Sequence, residues 1–134
     1  MRLLVDTLEY RYLAIQSGIT ASRAWVARNE DLMRRTLQAM AEGMVVAQQN
    51  RERTKQVMAK YLQTDDAALL DRTYEATATT WTRALAAPPE ALRNELEVIA
   101  QENPAAKDAQ PEQFLDNFLA DELERSGFVQ QHYR

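Results

Sequence analysis

Residues 29–49 read NEDLMRRTLQAMAEGMVVAQQ, and the period of the apolar side chains in this stretch decides the fold. Met33, Leu37, Met40 and Met44 recur at steps of four, three and four, and Leu32 and Val45 widen the stripe. Residues so spaced share one face of an α-helix, whose side chains rotate by about 100° per position. Asn29 is of the type that caps helix N-termini. Glu30 and Asp31 place negative charge where the helix dipole favours it. The spacing predicts a helix over residues 30–49.

The same signature repeats towards the C-terminus. Asn50 can cap a second helix, 51–63, with Val57, Met58, Tyr61 and Leu62 on one face. Thr64-Asp65-Asp66 opens a third over 65–87, whose stripe is Leu70, Tyr74, Thr77 and Trp81. Pro88-Pro89 cannot continue it, because proline lacks the amide and clashes with the preceding turn. Pro89 fits the first turn of a fourth helix, 89–102, packing through Leu92, Leu96 and Ile99. Asn103-Pro104 ends that helix, 105–110 is a polar loop, and Pro111 starts a last helix over 112–126. Its apolar face is Phe114, Leu115, Phe118, Leu119 and Leu123. Gly127 stands where a left-handed cap belongs, with Phe128 placed to fold back in a Schellman motif.

Before residue 29 the pattern changes. Residues 10–27, YRYLAIQSGITASRAWVA, mix aromatic and β-branched side chains around Ser17-Gly18. They read as two extended pieces, 11–16 and 19–26, with a turn or bulge at the glycine, although Ala21 to Ala27 also reads as a helix start. Leu3, Leu4 and Val5 could form a short buried strand. The expected fold class is therefore mainly α: five amphipathic helices after one or two short strands. It divides into an extended segment, 1–28, and a helical segment, 29–134.

Composition agrees. The 134 residues include only three glycines and four prolines, a bias that favours helix. With no cysteine, disulfides, thiolate metal sites and cysteine nucleophiles are excluded. Residues 1–60 hold ten Arg and Lys against six Asp and Glu, a charge of +4. Residues 61–134 hold six against fourteen, a charge of −8. The densest basic run, Arg51, Arg53 and Lys55, is broken by Glu52 and reads as a solvated helix face, so no nucleic-acid partner is expected. No apolar stretch approaches the ~18 residues of a membrane span. The apolar run at residues 3–5 is far shorter than the roughly 7–15 residues of a signal peptide, so the chain as written is expected to be cytoplasmic.

No catalytic constellation is legible, and neither a cofactor nor a metal is expected. His132 is the only histidine and reads as a solvated tail residue. Asp65 and Asp66 are explained by capping, and adjacent helical residues do not face each other. Glu95 and Glu102 share a helix side but lack a facing element. The glycines at 18, 43 and 127 each stand alone, so no phosphate loop is present. Two features admit a binding role. Met33, Met40, Met44 and Met58 could form an adaptable partner surface or pack as a core. Tyr10, Tyr12 and Trp25 flank the Ser17-Gly18 break, which suits a small-ligand cleft or simple packing.

Taken in order, Leu4-Val5-Asp6-Thr7-Leu8, Gly18-Ile19-Thr20-Ala21-Ser22-Arg23 and Asn29-Glu30-Asp31-Leu32-Met33 form a recognisable series. It continues with Ala59-Lys60-Tyr61-Leu62, Thr64-Asp65-Asp66, Tyr74 and Asn103-Pro104. It closes with Pro111-Glu112-Gln113-Phe114, Leu123-Glu124-Arg125-Ser126-Gly127-Phe128 and Tyr133. The series covers nearly the whole chain. It resembles the C-terminal section of solute-binding proteins of nitrate-, sulfonate- and taurine-type ABC importers, thiamine-precursor-binding relatives included. The resemblance implies a type II periplasmic binding-protein fold, two α/β lobes holding a small solute in the cleft between them. This chain would supply the return crossover and the closing helices of lobe 1. It further implies a periplasmic location, an ABC permease as partner, and ligand contacts near the hinge from Tyr10, Tyr12, Ser17 and Thr20. The alternative is an independent helical domain that self-associates or pairs with a separate N-terminal half.

Overall fold

A computed structural model describes residues 12–15 and 17–133. Among these residues the regular structure is helical throughout: α1 Arg23–Arg28, α2 Glu30–Gln49, α3 Arg51–Leu62, α4 Ala67–Ala78, α5 Pro89–Ile99, α6 Phe118–Arg125 and α7 Phe128–His132. Two 3₁₀ segments, Pro104–Asp108 and Pro111–Gln113, separate α5 from α6. None of the helices is long and apolar enough to cross a membrane.

The described residues gather into two compact units that interleave along the chain. The first takes residues 12–25 and Ala86–Asn117; the second takes Val26–Leu85 and the residues from Phe118 onward. In the second unit α2 packs against α3, α6 and α7, while α3 packs on α4 and α6 on α7. Ala41, Val45, Leu70, Tyr74, Leu119, Ala120, Leu123 and Val129 form its core, each at most 9% exposed. Burying a leucine or valine side chain in this way contributes about 1.5–3 kcal/mol. The Tyr74 ring meets Trp81 edge-on at 5.6 Å, and its hydroxyl donates to the carbonyl of Ala47 at 3.2 Å. In the first unit α5 packs on both 3₁₀ segments through a smaller core of Ala91, Leu96, Ala106 and Pro111.

The start of α2 agrees with the sequence reading, but Asn29 makes no side-chain cap bond. Charge holds the first turn instead: Arg34 pairs with Glu30 at 2.8 Å and Arg35 with Asp31 at 3.3 Å. Asn50 and Asp66 do cap, accepting from the amides of Arg53 and Leu69, each at 3.0 Å. The α3 stripe is a correction. Val57, Tyr61 and Leu62 are 42%, 77% and 53% exposed, and Thr54 is the buried residue of that helix.

Further expectations are corrected. The extended piece at 19–26 gives way to α1, the helix start that Ala21 to Ala27 also allowed, and residues 12–15 form no strand. The third helix stops at Ala78, not near Ala87. The hydroxyls of Thr77, Thr79 and Thr80 turn back onto carbonyls three or four residues earlier and compete with the helical ladder. α5 ends at Ile99, and its continuation to residue 102 tightens into bonds such as Gln101 N–H to Val98 O. The helix over 112–126 is interrupted: after Pro111–Gln113 the chain leaves helical geometry until Phe118. There Asn117 directs its side chain to both backbone groups of Ala87, accepting at 3.1 Å and donating at 2.8 Å. Gly127 adopts the expected left-handed conformation, φ 77°, but Phe128 opens α7, and its amide donates to Ser126 Oγ at 3.3 Å. The Leu3–Val5 run lies outside the described residues.

Candidate functional site

Of the residues proposed for ligand contact, Tyr12, Ser17 and Thr20 sit in a segment that has no ladder to hold it. Its carbonyls still need donors, and side chains of the first unit supply them. The Tyr12 hydroxyl donates to Asn94 O at 3.2 Å, and the Asn94 amide donates back to Leu13 O at 2.8 Å. Further along, Arg23 Nη2 donates to the carbonyls of Glu112 (3.3 Å) and Gln113 (3.0 Å). The guanidinium thus serves carbonyls that the short 3₁₀ turn leaves over. The backbone between residues 13 and 23 is clipped at both ends.

Between the clips, Ser17, Ile19 and Thr20 are exposed. Tyr10 lies outside the described residues. The clips hold two hydroxyls and their neighbouring backbone on an open surface, and Tyr12, half exposed, is committed to α5. Residues 12–22 contain no carboxylate, histidine or lysine, so the segment can offer hydrogen bonds but no general base of those types. Gly18 needs no special backbone: a Cβ there would stand 3.9 Å from Ile15 Cγ2, an ordinary contact.

Asn94 and Arg23 do the positioning, and neither was singled out for that role in the sequence. The one available signal was asparagine within a helical stripe, where it is a poor helix former. His132 is placed differently from the solvated tail expected of it. It is half-buried, with Nδ1 2.8 Å from Phe128 O and Nε2 3.7 Å from Glu42 Oε1 on α2.

Arg51 and Lys55 of the basic run on α3 are spent within the second unit. Arg51 pairs with Asp71 and Glu75, both at 2.9 Å, and lies 5.1 Å over the Tyr74 ring. Lys55 pairs with Asp71 at 2.8 Å and Glu52 at 3.1 Å. Hydrogen bonds from Lys55 and then Arg51 hold the Asp71 carboxyl below the usual range, and bonds to Asp71 and then Glu75 raise Arg51. Among the described residues no group of three or more His, Asp or Glu could hold a metal ion. No family model, curated protein or solved structure matches the chain.

Proposed function

We propose that the chain is the closing part of an ABC-importer solute-binding protein, holding a small anionic or heteroaromatic solute by lobe closure, without chemistry, and delivering it to a permease in the periplasm. The observation that supports this reading is the set of large apolar side chains the first unit leaves uncovered. Val98, Ile99 and Phe114 are 53%, 47% and 62% exposed on and beside α5. A β-sheet laid against that helix, as in a two-lobed α/β receptor, would bury them. The test is the locus and its full product. Permease and ATPase frames should flank the gene. The product of the whole frame should bind nitrate, taurine, an alkanesulfonate or a pyrimidine precursor with Kd near micromolar, about −8 kcal/mol. No transporter frames, and no binding by that product at millimolar solute, would sink the reading.

One observation favours the alternative, an independent helical domain: the second unit closes a core from its own residues. In that case Val57, Tyr61 and Leu62 would be covered by a second copy. Light scattering over a dilution series should then show concentration-dependent mass, and a monomer at all concentrations would exclude it.

A further inference from the structure

The second unit contains a cavity of about 310 Å³ lined by Arg83, Ala84, Glu124, Val129, Gln130 and Tyr133. Its wall on the side of residues 81–85 is pinned at both ends. Gln48 Nε2 donates to Trp81 O at 3.4 Å, and the Leu85 amide donates to Glu124 Oε1 at 3.0 Å. Two groups at this cavity lack the partners their chemistry calls for. The Tyr133 hydroxyl is shielded from solvent and has no hydrogen-bond partner among the described residues. The Arg83 guanidinium lies 4.3 Å over the Tyr133 ring and pairs with no carboxylate among them.

We propose that this cavity is a binding site for a small monocarboxylate with an apolar body, separate from the hinge segment. A guanidinium lying over an aromatic ring can keep N–H donors free, and its fork matches the two oxygens of a carboxylate. Gln130 adds a neutral amide donor. Ala84, Val129 and the tyrosine ring supply apolar wall for the rest of the ligand. Glu124 sets the charge. One of its oxygens is taken by Leu85, but its negative charge stays at the wall and offsets that of Arg83, so the second negative charge of phosphate is disfavoured. The volume sits at the small end of the roughly 300–1,000 Å³ of ligand pockets, which suits a molecule the size of benzoate.

Amide chemical-shift titration of the whole chain with benzoate tests this, with benzyl alcohol and inorganic phosphate as comparison probes. Benzoate should shift the amides of Ala84, Val129, Gln130 and Tyr133 saturably, with a Kd of about 1 mM or tighter. Benzyl alcohol should bind at least about tenfold more weakly, and phosphate should not saturate. Arg83→Gln should raise the benzoate Kd about tenfold or more. Tyr133→Phe, which keeps the ring beneath the guanidinium, should change it by less than about twofold, because the hydroxyl is sealed from the cavity. Any of three results overturns the proposal: no saturable shifts up to about 10 mM benzoate, equal binding of benzyl alcohol or phosphate, or unchanged affinity in Arg83→Gln with a wild-type spectrum elsewhere.

Discussion

The second unit is ordered by what it buries, and the first by what it ties. In the second, α2, α4, α6 and α7 turn leucine, valine and tyrosine side chains inward, and polar groups serve mainly as caps and bridges. In the first, Leu96 is the one large aliphatic among the core residues Ala91, Leu96, Ala106 and Pro111. Its order comes from Asn94, Asn117 and Arg23 reaching backbone groups. Its large apolar residues Val98, Ile99 and Phe114 face outward. Both units leave large apolar side chains exposed, Val57, Tyr61, Leu62 and Phe118 among those of the second, so the difference lies in the larger core that the second unit closes.

The largest expected effect follows from the core of the second unit. Leu123 is 4% exposed on α6, and Leu123→Ala should cost about 2–5 kcal/mol, read as a loss of chemical-denaturation stability. Ile99→Ala, on the outward side of the first unit, should change stability by no more than about 0.5 kcal/mol. Comparable costs at the two positions would erase the distinction.

Asn117→Ala breaks the first unit's principal tie. It strips both bonds from the half-buried backbone of Ala87 and should cost about 1–3 kcal/mol, with local loss of amide protection around residues 86–89. Gly127→Ala should cost about 1 kcal/mol. A Cβ there meets only Gln131 Nε2 at 3.8 Å, so the cost is backbone strain at φ 77° and not a clash. A neutral substitution would mean that α6 ends some other way.

The smallest effect concerns the exposed charges between α3 and α4. Because Asp71 is held below the usual carboxylate range when folded, its contribution is fully present above its unfolded pKa. It is lost as pH falls through the folded value. Lys55 is raised, so its contribution persists at neutral pH and disappears only under strongly alkaline conditions. Asp71→Asn should therefore lower the melting temperature slightly at neutral pH and flatten the decline on acidification. The difference should shrink in about 1 M salt, where the screening length is near 3 Å.

The contrast between the units also explains what the sequence could disclose. The limits of α2 and the buried Leu70, Tyr74, Leu119 and Leu123 were legible because apolar period and proline placement are local signals. The ends of α4 and the break before α6 were not, since they depend on threonine hydroxyls and on an asparagine pairing with a residue 30 positions away. The candidate hinge was legible only as an aromatic-flanked break. The bond from Asn94 to Leu13 spans 81 positions, beyond the reach of any periodicity. The α3 face misled because Val57, Tyr61 and Leu62 share a helical side without being the side that packs.

Native-state amide hydrogen exchange tests the central distinction most directly, since it reports opening free energies residue by residue. Amides around Ala41, Val45, Leu119 and Leu123 should exchange only through global unfolding of the second unit. Amides around Leu96, Ala106 and Phe114 should exchange through an opening lower by at least about 1.4 kcal/mol, tenfold or more in rate. Equal protection in both sets, or stronger protection in residues 86–117, would show that the first unit needs no cover, and would contradict the account.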